Sequence, residues 1–149
     1  MLSRRLLALV LLAVPVAASA QEQTPQQFLA SIYEPYRKAD FKGQPYWEVN
    51  RWFAPDLASA IDKDFAEAKK RKEVPTLDGD PFIDAQDWKV ESISFTASMT
   101  GDKAAGAVSF ISLGVPKAVA LTMVKTPVGW RISDMVTANG SLRALYKLK

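Results

Sequence analysis

The hydrophobic period of this chain changes once, and that change limits what it can fold into. Before residue 75 apolar side chains recur at helical spacing; after residue 88 they alternate every second position. Helices followed by strands specify an α+β domain, because each layer has to bury its apolar side against the other. The joining segment, residues 75–88 (PTLDGDPFIDAQDW), sets Asp78, Asp80, Asp84, Asp87 and Gln86 around an apolar Pro81-Phe82-Ile83 centre. A polar loop with an apolar centre is expected to be pinned to its domain, and positioned loops often carry function.

In the helical half, Thr24 is a good N-cap, with Pro25 at the first helical position and Gln27 completing a capping box. Phe28, Leu29, Ile32, Tyr33 and Tyr36 follow at helical spacing, and Pro35 is expected to kink this helix by removing a donor. Residues 40–45 read as a loop and 46–53 as one or two aromatic-rich helical turns. Pro55 opens a longer helix with Leu57, Ile61, Phe65 and Ala68 on one face, fraying near Glu73. Its basic end, Lys69-Lys70-Arg71-Lys72, suits the negative pole of the helix dipole.

In the strand half, Ile93, Phe95, Ala97 and Met99 alternate with Ser92, Ser94, Thr96 and Ser98, predicting a half-buried strand. Turns at 100–103, 114–117 and 126–129 separate further strands over 105–113, 118–125 and 130–136. Asn139-Gly140 ends the last strand, and Ser141 caps a short helix with Leu142, Leu145 and Tyr146 on one face. The expected architecture is α+β, with N-terminal helices packed on a curved antiparallel four-stranded meander.

Arg4 and Arg5, an apolar run over 6–16 and Ala18-Ser19-Ala20 read as a secretory leader cleaved after Ala20. The run is shorter than the roughly 20 residues that span a bilayer. The expected domain is therefore residues 21–149, in the periplasm or secreted beyond it, with no transmembrane segment once the leader is gone. A domain of this size buries a core without staples. The chain has no cysteine, so it forms no disulfide and carries no thiolate nucleophile or lipidation site. Two of the 19 Lys and Arg lie in the leader, leaving 17 against 16 acidic residues, far from the basic face nucleic acid requires.

The chain has no histidine either, which removes Ser-His-Asp and Cys-His arrangements and the usual zinc sites. No glycine-rich phosphate loop occurs, and no cofactor is expected. Carboxylates remain as acid–base candidates, with Tyr33 and Tyr36 as oxyanion donors. Asp78, Asp80 and Asp84 resemble the start of a calcium loop. Ile83, however, stands where that motif needs glycine, and Lys89 where it needs glutamate. A structural role has its own mechanism: Asp78-Gly79 favours a turn, Asp80 before Pro81 an Asx turn, and Asp84 a capped helical turn through Asp87. Phe82, Ile83 and Trp88 would anchor the loop. Of the remaining tryptophans, Trp130 suits the core, and Trp47 and Trp52, five apart, are expected to face different ways, leaving one available to line a pocket.

The segments LDGDPFIDAQDW (77–88), GWRISDM (129–135) and SLRALYK (141–147) resemble a family of small exported bacterial proteins defined only as a domain of unknown function. That family is similar to the nuclear transport factor 2-like, or cystatin-like, superfamily. The resemblance covers essentially all of residues 21–149 and implies a cone of helices on a curved antiparallel sheet. It implies no single activity, since such folds serve isomerase- and dehydratase-like enzymes, binding modules and dimeric scaffolds. Pairing of open sheet faces would make a homodimer. The enzymes place Asp or an Asp-His pair in the cone; here there is no histidine, and no strand aspartate before Asp134. The resulting expectation is a non-enzymatic exported binding module for a small apolar ligand, a peptide or an envelope protein. Its contact residues would be Asp78, Asp80, Asp84, Gln86, Asp87 and Trp88. The alternatives are a carboxylate-based lyase or isomerase with an Asp in the cone, and a calcium-stabilised structural module.

Overall fold

The computed structural model describes residues 21–149; the leader expected over 1–20 lies outside them. Thr24 caps helix α1 (Pro25–Tyr33) as its sequence predicts: Gln27 N donates to Thr24 Oγ1, and Thr24 N donates to Gln27 Oε1. The helix stops where Pro35 has no N–H to give the carbonyl four residues back. A 3₁₀ turn (Glu34–Arg37) follows. The freed Ser31 carbonyl and its neighbour Ile32 accept instead from Gln44 Nε2, at 3.1 and 2.6 Å. The proline break thus ties the following loop to α1 and turns Tyr36 inward, where it is buried.

Helix α2 (Val49–Trp52) is a single turn that buries Trp52 and leaves Trp47, just before it, exposed. Helix α3 (Pro55–Arg71) buries Leu57, Ala58, Ile61 and Ala68 and ends on Lys69, Lys70 and Arg71. Lys72 takes the left-handed conformation at its C-cap.

The sheet is antiparallel and runs in chain order: β1 (Val90–Thr100), β2 (Lys103–Ser112), β3 (Val115–Thr126), β4 (Gly129–Thr137) and β5 (Gly140–Ser141). Among the described residues it has five strands where the sequence predicts four. The fifth pairs two residues with Val136 and Thr137, too short a stretch to display a period. Helix α4 (Leu142–Leu145) follows, capped by Ser141 as expected, but only Leu142 of its leucines is buried. The turn expected over 114–117 is also shorter. Leu113 and Gly114, both at positive φ, make a two-residue hairpin, and Pro116 lies within β3. Its missing N–H costs nothing there, because the β3–β4 ladder begins only at Ala120.

Ile93, Val108, Phe110, Val119, Leu121, Met123, Trp130 and Ile132 face the helices and are buried. Gly106 lets α1 come close to β2, since a Cβ there would lie 3.0 Å from Leu29 Cδ1 and 3.3 Å from Met123 Cε. The other face exposes short uncharged side chains, among them Thr96, Ala107, Ser109, Ala118 and Ala120. Both edges are covered. Ala54 N donates to Ile132 O along β4, while on β1 the Gln26 amide stands in for a strand, donating to Phe95 O and accepting from Ala97 N. Fully buried Leu29, Tyr33, Trp52, Phe53, Leu57 and Phe82 occupy the space between helices and sheet. No helix among the described residues is long and apolar enough to cross a membrane.

Candidate functional site

The loop over 75–88 closes on itself at Asp80. Phe82 N donates to Asp80 Oδ1 at 2.9 Å, the Asx turn its sequence predicts; Asp80 N donates to Ala85 O, and Ile83 N and Ala85 N donate to Asp80 O. With Ala85 tied back to Asp80, Asp84 reverses the chain at φ 55. The helical turn expected from Asp84 through Asp87 therefore does not form. The closed loop drives Phe82 and Ile83 into the core. The Phe82 ring lies edge-on to Trp52 and stacked on Phe53, with centroids 5.5 and 6.1 Å away.

Asp80 is the centre of this arrangement. It is 7% exposed, accepts the Tyr36 hydroxyl on Oδ2, and makes no ion pair among the described residues. Gly43, at φ +96, leaves room for it: a Cβ there would stand 3.0 Å from Asp80 Oδ2. Burial raises the Asp80 pKa; the bonds from Tyr36 and Phe82 pull it the other way, and burial wins. Burial, then the charge of Asp80, pushes both Tyr33 and Tyr36 above the ordinary phenol range. The two tyrosines differ in one respect. Tyr36 is bonded to Asp80, whereas the buried Tyr33 hydroxyl meets no partner among the described residues.

Three further anchors carry no motif. Asp64 of α3 accepts from Thr76 N, Thr76 Oγ1, Leu77 N and the Tyr146 hydroxyl, so one carboxylate holds both the loop's entry and the C-terminal turn. Burial alone would raise its pKa, but these bonds bring it below the usual carboxylate value. Asp134 accepts from Ser141 Oγ and Arg143 N. Lys117 Nζ donates to Asp84 O at 2.9 Å, and Asn139 Nδ2 to Asp84 Oδ2 at 2.8 Å. The sequence places Lys117 and Asn139 at turns and gives no sign of their long-range partners.

The sequence-predicted site residues are thereby separated. Asp78 is exposed and bonded to Gln86, Asp87 is exposed, and Trp88 is half-buried against Tyr36 and Phe41. Asp80 faces inward and Asp84 sits at the rim. Among the described residues no three carboxylates gather at metal-binding spacing, and the set resembling a calcium loop does not converge.

What the loop does build is a cleft of about 160 Å³. Leu77, Pro81, Met135 and Leu142 supply apolar lining, while Asp84, Asn139 and Leu145 stand at its margins. The end of the sheet beside it is unusually apolar. Of nine exposed large hydrophobic residues among those described, five (Ile111, Leu113, Val115, Val136 and Leu145) lie at this end.

No family model matches the chain, and neither does any curated protein. Among solved structures it is similar to a chain in the crystal structure of the type VI native effector–immunity complex Tae3–Tai3 from Ralstonia pickettii, with a TM-score of 0.49. The two share 23% identity over 78% of this chain and 97% of that one. A likeness of this size carries nothing about partner or activity.

Replacing either tyrosine by phenylalanine removes the same atom with opposite expected results. Tyr36→Phe leaves Asp80 short of a donor and should destabilise the fold by about 1–3 kcal/mol in urea melts. Tyr33→Phe removes an unsatisfied hydroxyl and should leave stability unchanged or raise it by up to about 1 kcal/mol. Equal losses for both would contradict the bonding described.

Acid titration separates the roles of the buried Asp80 and the part-exposed Asp64. The folded pKa of Asp80 is raised, so its contribution is fullest below the ordinary carboxylate value and is lost as pH rises through the folded value. That of Asp64 is lowered, so its contribution is present above the ordinary value and is lost as pH falls through the folded one. Melting across the acid range should show Asp80→Asn gaining on the wild type as pH rises. Asp64→Asn, which turns a donor toward donors, should lose most near neutrality. The reverse pattern would refute these assignments.

Proposed function

We propose that this is an exported, non-enzymatic module that binds a protein or peptide of the cell envelope through the end of the sheet beside the aspartate loop. One observation carries the reading: exposed Leu145 lines a preformed cleft that the loop itself walls, at the end of the sheet that also exposes Leu113, Val115 and Val136. Exposed apolar patches rimmed by polar residues mark interaction sites. Export rests on the leader pattern of residues 1–20. Membership of the nuclear transport factor 2-like group is part of the same proposal, supported by three N-terminal helices on one face of a sequential antiparallel sheet.

Two observations favour a macromolecular partner over an enclosed apolar ligand. Aromatic and aliphatic side chains fill the interior between helices and sheet. The cleft is also smaller than the roughly 300–1,000 Å³ of sites that enclose small molecules. A carboxylate enzyme finds little support, because the buried Asp80 is spent on Tyr36 and Phe82.

Photocrosslinking amino acids placed singly at Leu113, Leu145, Met99 and Val128, all exposed, test the reading in the native envelope. The first two positions should yield a discrete protein adduct and the last two should not. Adducts from Met99 or Val128 alone would move the binding surface elsewhere, and none from any position would remove it.

A further inference from the structure

Building on that reading, we propose that the cleft receives one apolar side chain of a protein partner, with an adjacent lysine or arginine held by Asp84. Its volume, about 160 Å³, is on the scale of a single anchoring side chain, the kind of contact that dominates protein interfaces. Leu77, Pro81, Met135 and Leu142 give that side chain an apolar lining, and Leu145, 46% exposed, a side wall.

The charge at the mouth selects its neighbour. Asn139 Nδ2 occupies Asp84 Oδ2, and Lys117 Nζ binds the Asp84 main-chain oxygen. Asp84 Oδ1 has no hydrogen bond among the described residues. The two tethers and the left-handed backbone hold the carboxylate in place before any partner arrives, which reduces the ordering cost of binding. Asp78 and Asp87 lie on the same loop, and neither forms an ion pair among the described residues. Of the cations at this end, Arg143 of α4 pairs with Asp56 at 2.9 Å, Lys89 lies 4.0 Å from Glu91, and Lys117 binds the loop carbonyl. Three loop aspartates and Glu91 against two lysines leave the mouth acidic. A cation beside the apolar anchor is therefore attracted, and a carboxylate there is repelled.

Short synthetic peptides test this on the whole protein, with amide shifts in heteronuclear NMR as the readout. The probes are matched octapeptides carrying Leu-Lys, Leu-Arg, Leu-Glu or Ala-Lys in a Gly-Ser background. Leu-Lys and Leu-Arg should perturb Asn139, Gly140, Leu142 and Leu145 and bind about fivefold tighter than Leu-Glu at low salt. The gap should close at high salt. Ala-Lys should bind weakly. Asp84→Asn, which suits the left-handed backbone, should narrow the Lys–Glu gap without unfolding the loop. Leu145→Ala should weaken every leucine peptide. Equal binding of Leu-Lys and Leu-Glu, shifts mapping elsewhere, or no shifts at millimolar peptide would overturn the proposal. If crosslinks from Leu113 and Leu145 succeed while the peptides show no charge preference, partner binding stands and the cationic anchor falls.

Discussion

A carboxylate buried without a cation is the constraint on which the rest of this structure depends. Taking the charge of Asp80 out of water is unfavourable, and its raised pKa records that cost. What it supplies in return is geometry. One side chain accepts from Phe82 N and the Tyr36 hydroxyl, and its main chain closes the bridge to Ala85. An apolar residue of similar size would leave Phe82 N and the Tyr36 hydroxyl without an acceptor. Tyr36 is in position because Pro35 ends α1 and Gln44 takes up the freed carbonyls.

From that clasp the candidate site follows outward. Asp80 fixes Phe82 and Ile83 in the core, which places Leu77 and Pro81 as cleft wall and Asp84 at its mouth. Asp64 and Asp134 then bring up the opposite side, holding Tyr146 and the Ser141 turn so that Leu142 and Leu145 complete the cleft. The loop therefore acts at one remove from its own composition. Its aspartates are distributed to tether, cap and rim, and the surface they organise is mostly apolar.

Much of the fold was legible in local patterns. The switch from helical to alternating spacing located the layers, the Thr24 capping box marked the start of α1, and Asp80-Pro81 announced its Asx turn. What escaped reading has a common cause: a side chain meeting backbone or another side chain far along the chain. Gln26 on the β1 edge, Gln44 on the end of α1 and Asp64 beneath Thr76 belong to no period. The fifth strand was hidden by its two-residue length, and Asp84 by the closure at Ala85, which overrode its local capping tendency. The apolar end of the sheet became visible only in the exposure of Leu113, Val115, Val136 and Leu145.

Native-state hydrogen exchange of the loop tests the central claim most directly, that Asp80 makes residues 80–85 part of the core rather than a surface loop. The amides of Asp80, Phe82 and Ala85 should open with the same free energy as those of Leu121 and Met123 in the middle of the sheet, through global unfolding alone. Exchange of the loop amides through a separate, low-energy local opening would contradict the account.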